Sequence, residues 1–116
     1  MHCKNFSLID TGNGEYVLSP AYDLLAVLLA DPGDTEEMAM SFSVGGKKSG
    51  FDRNTFMTAF VESGISVARS EKMIEKMKTY LPKWKELINQ SFLPEKMKVD
   101  YCALLDKRNR ALDVIK

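Results

Sequence analysis

Cysteine and histidine are both scarce in this sequence: Cys3, Cys102 and a single His2 are all that 116 residues contain. With no Cys-x-x-Cys pair, the spacings that hold structural zinc are missing. Two thiols almost a chain length apart predict free cysteines in a reducing cytosol, with a Cys3–Cys102 bridge left open as the alternative. There is also no excess of one charge. Sixteen Lys and Arg balance sixteen Asp and Glu, so no net field points to nucleic acid or to a membrane surface. The longest apolar run, Leu24 to Ala30, is seven residues, far short of the roughly 20 a membrane helix requires. No signal-peptide pattern stands at the start. These absences predict a cytoplasmic protein that touches neither nucleic acid nor membrane. What is present, 45% hydrophobic and 28% charged residues, suits a globular chain with one hydrophobic core.

The pattern along the chain predicts an α+β fold, mostly helical: a hairpin and strand section over residues 1–50, then a helical bundle over 51–116. "FSLI" and "EYVL" flank "DTGNG", whose Gly12-Asn13-Gly14 tolerates the positive φ of a hairpin turn. In the second arm Tyr16 and Leu18 share one face and Val17 takes the other. Pro20 stops strand pairing because it has no N–H to donate. "DLLAVLLA" is a short buried element whose leucines do not decide between strand and helix. "DPGDTEE" reads as a loop. "MAMSFSV" alternates like a half-buried strand, and "GGKKSG" ends it as a basic turn.

From Asp52 onward the signals are helical. Asp52 is a candidate N-cap, Phe56, Phe60 and Val61 form a stripe, and Gly64 is the stop. Ser66 caps the next helix, whose apolar positions Met73, Ile74, Met77, Tyr80, Leu81, Trp84, Leu87 and Ile88 keep a 3.6-residue period. Pro82 predicts a kink or a break near Leu81. Pro94 restarts a helix with a stripe of Met97, Tyr101, Leu104, Leu105, Leu112 and Ile115. Trp84 and the methionines are expected in the core. Should a surface be left bare, they would instead form an exposed patch that favours self-association.

The chemistry gathers at the amino end. His2, Lys4 and Asn5 precede one strand, and Asp23 follows the returning one. A hairpin brings its two ends together, so Asn5 and Asp23 should be close. An amide oxygen and a carboxylate are hard ligands of the kind magnesium prefers, with phosphate and water completing its shell. The plain alternative is that both are turn and cap residues. "GGKKSG" lacks the spacing and the βαβ context of a P-loop.

"HCKNFSL…GEYVLSPAYDLL" resembles the catalytic segment of the HipA-type serine/threonine kinases, the toxins of bacterial toxin–antitoxin pairs. That family's loop has the form Asp-x-His-x-Lys-Asn-(Phe/Tyr)-Ser, followed by a short hairpin and a Pro-x-Tyr-Asp segment. His2, Lys4, Asn5, Phe6 and Ser7 match the first part; Pro20, Tyr22 and Asp23 match the second. "SFSVGGKKSGFDRNTF" is similar to the family's strand and basic turn. The resemblance implies a protein-kinase-like C-lobe, Mg2+ and ATP as cofactors, Asn5 and Asp23 as metal ligands, and His2 and Lys4 as catalytic-loop neighbours. It also implies a HipB-like antitoxin as a possible partner.

In the kinase pattern the catalytic aspartate lies five positions before the asparagine, and five before Asn5 is position zero. The chain therefore reads as the last part of a larger kinase, begun at an internal methionine, with the kinase N-terminal segment as a required partner. Phosphoryl transfer needs several converging parts, so the chain alone is expected to be inactive and to bind Mg-ATP weakly or not at all. The competing readings are a non-enzymatic helical module that binds an antitoxin or regulatory partner, and an inert gene remnant.

Overall fold

The structure, a computed structural model, describes residues 5–22, 26–31 and 49–113. The expected hairpin forms. Strand β1 (Leu8–Asp10) pairs antiparallel with β2 (Tyr16–Leu18), in the register Leu8 to Leu18, Ile9 to Val17 and Asp10 to Tyr16. The turn is built from local polar chemistry. The Gly12 amide donates to Asp10 Oδ1 at 2.8 Å, the Thr11 amide donates to the Glu15 carbonyl at 3.0 Å, and Gly12 and Gly14 sit at φ 86° and 77°. That left-handed backbone is strained for residues carrying a Cβ, which is why glycine stands at both positions.

The leucine-rich segment resolves, over its described part, into one helical turn, α1 (Val27–Ala30). Its Asp23–Leu25 start lies outside the described residues, as do the predicted strand at Met38–Val44 and most of the basic turn. Next comes α2 (Arg53–Glu62). Asp52 is its N-cap, accepting from the Thr55 amide at 2.9 Å and the Thr55 hydroxyl at 2.7 Å. Such a cap satisfies amides that no helical carbonyl can reach. Gly64, at φ 81°, follows the Ser63 C-cap as expected. The predicted stripe shifts, however: Thr55 and Ala59 are buried, Phe56 and Phe60 flank them half-buried, and Val61 is exposed. Val61 lies about 200° round the helix from Ala59 at 3.6 residues per turn, too far to share its face.

Helices α3 (Val67–Thr79) and α4 (Leu81–Gln90) meet at Tyr80, which is C-cap of one and N-cap of the other, with Pro82 in the first turn of α4. This is the break that Pro82 predicts. Ser66 occupies the N-cap position of α3, but its hydroxyl makes no capping hydrogen bond. Val67, Ala68 and Arg69, which open α3, are exposed, so water can satisfy their amides instead. The last helix, α5 (Glu95–Asp113), begins just after Pro94 and packs against α1, α2 and α4.

The core is a seam between these helices: Phe51, Ala59, Ile74, Ile88 and Leu112 are buried, with the hydroxyls of Thr55 and Ser70 inside it. Ser70 satisfies its own hydroxyl by donating to the Ser66 carbonyl at 3.0 Å. Ion pairs tie the outer edges. Arg53 reaches Glu75 at 2.9 Å and donates to the Leu112 carbonyl at 3.3 Å, linking α2, α3 and α5. Lys78 bridges Glu75 and Asp113, and Lys85 meets Asp106 at 2.6 Å across α4 and α5. The hydrogen bond from Arg53 holds the Glu75 carboxyl below its ordinary value, assisted by the charge of Lys78. Asp113 in turn raises Lys78.

The expectation that Trp84 and the methionines are core is corrected at Trp84, Met73 and Met77, while Met57 and Met97 are half-buried. Trp84, Met73 and Met77 are all exposed, as are Tyr80 and Leu87. Ile74 and Ile88 take the seam, and their larger neighbours line its open side, where no described element covers them. None of the described helices is long and apolar enough to cross a membrane. Cys102 is a free, half-buried thiol; Cys3 lies outside the described residues.

Candidate functional site

The hairpin ladder does not end with its strands. The Ser19 amide donates to the Ser7 carbonyl at 2.8 Å, one step beyond the Leu8–Leu18 pair. Pro20 follows and has no N–H, so backbone pairing stops there. Past that stop a side-chain bond takes over: the hydroxyls of Ser7 and Tyr22 lie 2.6 Å apart. The chain entering the hairpin from Asn5 and the chain leaving it through Tyr22 are thereby joined at one open end.

Asn5 stands out within this region. From Phe6 to Leu18 every side chain is exposed, whereas Asn5 is only 7% accessible. A buried amide carries a strong carbonyl acceptor and two N–H donors, which must be satisfied where they sit. Of the residues predicted for the site, Asn5 is therefore placed, in a protected position at the hairpin mouth. Asp23, His2 and Lys4 lie outside the described residues. The Asn5 amide fits a magnesium site in its donor chemistry, since Mg2+ selects hard oxygen ligands and accepts one or two from protein. Among the described residues no three His, Cys, Asp or Glu side chains gather into a cation cluster.

The Ser7–Tyr22 bond was not anticipated from sequence. Both residues belong to the matching segments, and their places just outside the two strands were the available signal. A second feature was also missed. Between α4 and α5 a groove of about 380 Å³ is lined by Trp84, Leu87, Ile88, Tyr101 and Leu105. Tyr80 stacks on Trp84 at its edge, with ring centroids 6.3 Å apart and planes 26° apart. A helical period locates such residues on a face, but it cannot say whether anything covers that face.

A paired hairpin with a buried amide at its mouth, set before a bundle of helices, defines the class: an α+β domain whose polar chemistry lies at the hairpin's open end. Family comparison gives it a more particular place. The HipA-like C-terminal domain matches residues 1–84, which is 84 of the 116 residues and includes both segments of the motif. The chain belongs to this family. No curated protein matches it. The match ends inside α4, so most of the groove's lining falls beyond it.

Proposed function

We propose that this chain carries the cation-binding segment of a HipA-like serine/threonine kinase, acting in the cytoplasm together with the remaining parts of the kinase. In this reading Asn5 and Asp23 hold Mg2+ against the phosphates of ATP, and His2 and Lys4 stand beside them in the catalytic loop. When bound, the ion neutralises charge on the phosphates during transfer to a protein hydroxyl. The chain's own contribution is geometric: the hairpin sets the spacing of an amide and a carboxylate, and burial of Asn5 fixes its side chain. The observation that carries this reading is the bonded pair at the hairpin's open end, where the Ser19 amide donates to the Ser7 carbonyl. Ser7 and Ser19 are opposed there, so the strands leading back to Asn5 and on to Asp23 part from one end.

Phosphoryl transfer draws its stabilisation from several converging groups, of which two metal ligands supply only a fraction. The chain alone is accordingly expected to show no kinase activity and weak or no binding when titrated with Mg-ATP by calorimetry. In a reconstituted full-length kinase, Asp23→Asn abolishes phosphorylation of the protein substrate. Retained activity in that variant would refute the metal assignment.

The groove between α4 and α5 favours a second reading, a helical module that docks an antitoxin of the HipB-like kind or another regulatory protein. It predicts a stable complex in pull-down that tolerates Asn5→Ala and Asp23→Ala. Self-association through the same apolar surface is the competing use.

A further inference from the structure

Helices α3 and α4 turn one apolar stripe to solvent. Met73, Met77, Tyr80, Trp84 and Leu87 follow one another at spacings of four, three, four and three residues, and each is between 37% and 55% exposed. That alternation is the period of a seam that receives a second helix. The elbow at Tyr80 does not interrupt it, because Tyr80 stacks on Trp84 across the joint. Beside the stripe the surface is concave. The groove of about 380 Å³ adjoins a smaller cleft lined by Met77, Leu81 and Leu112, and the two share Trp84 and Leu105.

One flank of the stripe is basic throughout. Lys72 precedes Met73, Lys76 precedes Met77, Lys83 precedes Trp84, and Arg69 stands one heptad before Lys76. At about 100° per residue these four lie along the edge farther from Ile74 and Ile88. All four are exposed, and none of them has an ion-pair partner among the described residues. The acids of the two helices lie elsewhere. Glu71 and Glu75 take the opposite flank of α3, where Glu75 pairs with Arg53 and Lys78, and Glu86 is about 200° round α4 from Trp84.

We propose that this face docks an amphipathic helix of a partner protein, one whose apolar residues keep a heptad and whose flank is acidic. The proposal deepens the reading of the α4–α5 groove as a docking site and rests on it. Charge complementarity selects the occupant. Cations along one edge of a seam repel a like-charged flank and favour an acidic one. A second copy docking through the same face brings four more cations along that edge. An anionic bilayer attracts cations too, but it is flat, whereas the ridge of side chains on a helix fills a groove.

Trp84 is the only tryptophan of the chain, so its fluorescence reads occupancy of the groove. The probes are two synthetic helical peptides with leucine at the a and d positions, one flanked by glutamate and the other by lysine. Added to the full chain at low salt, the glutamate peptide is expected to blue-shift Trp84 emission and to move the amide signals of Leu87 and Tyr101. It binds about ten-fold more tightly than the lysine peptide, the combined effect of several exposed charge pairs, and the advantage shrinks at high salt. Lys76→Glu combined with Lys83→Glu reverses the preference while helicity by circular dichroism is unchanged. Equal binding of the two peptides, or an unreversed preference in that variant, overturns the acidic partner and leaves the groove reading in place. No response to either peptide overturns both. So does a chain that sediments as a dimer with Trp84 already shielded, which makes a second copy the occupant. A blue shift given by phosphatidylserine vesicles and by neither peptide also overturns both.

Discussion

From Phe6 to Leu18 the hairpin exposes every side chain, including Leu8, Ile9, Tyr16, Val17 and Leu18, while the helices bury Phe51, Ala59, Ile74, Ile88 and Leu112 in a common seam. The hairpin is held by its ladder, two turn glycines, an aspartate cap on the turn and a pair of hydroxyls. The helices are held by apolar burial and by ion pairs between residues 20 or more apart in sequence, such as Arg53–Glu75 and Lys85–Asp106. A two-stranded hairpin is marginal by itself in water. The half that carries the candidate chemistry is thus shaped by local bonds, and the half that carries the stability is shaped by long-range packing.

That contrast can be tested by removing matched apolar groups from each half. Ile74→Ala deletes a side chain that is 3% exposed and should cost about 2–5 kcal/mol, read as a lower midpoint in urea denaturation. Leu18→Ala, in the hairpin and 63% exposed, should stay within about 0.5 kcal/mol. Equal losses would mean that the hairpin packs against something in solution, and the contrast would fail. An effect smaller than that of Ile74→Ala tests the hairpin's local bonds. A Cβ at Gly14 would meet nothing within 4 Å, so Gly14→Ala carries only the left-handed backbone penalty, about 1–2 kcal/mol. Cross-strand nuclear Overhauser effects between Ile9 and Val17 should weaken while the helical signals stay in place.

The smallest expected effect is electrostatic and belongs to the helices. The Glu75 carboxyl titrates below its ordinary value because Arg53 and Lys78 favour the anion. Its contribution is therefore complete above about pH 4.5, the ordinary value, and is lost as pH falls through the lowered one. Lys78 is shifted upward, so its contribution is complete below about pH 10.5 and is lost as pH rises through the raised value. Urea midpoints measured across pH should fall at both extremes. Glu75→Gln should flatten the acid limb, and high salt should shrink both limbs because these pairs are exposed.

Much of this fold was legible because its punctuation is local. "DTGNG", Asp52, Gly64, Pro82 and Pro94 each act on backbone within a few residues, and each stands where its chemistry requires. Asn5 was legible as a polar residue at a strand's start, but its burial was not, since burial depends on what packs around it. The same reason explains Trp84, Met73 and Met77. Their spacing marked an apolar face, and only the packing of α3 against α2 and of α4 against α5 decided that Ile74 and Ile88 would fill the seam while these stayed outside. The hydroxyl pair at Ser7 and Tyr22 lay between these cases, with both residues visible in the motif but their meeting set by the hairpin register. The predicted strand at Met38–Val44, and the site residues His2, Lys4 and Asp23, lie outside the described residues.

Tyr80 ends one helix and opens the next with no residue between them. Such an elbow has no slack to absorb a change in length. One inserted residue would turn everything downstream by about 100° relative to α3, carrying Trp84 and Ile88 away from α5 and dismantling seam and groove together. Amino-acid replacement at this joint is therefore far easier to accommodate than insertion or deletion, and the spacing from Ile74 to Ile88 is fixed more tightly than the identity of any residue between them.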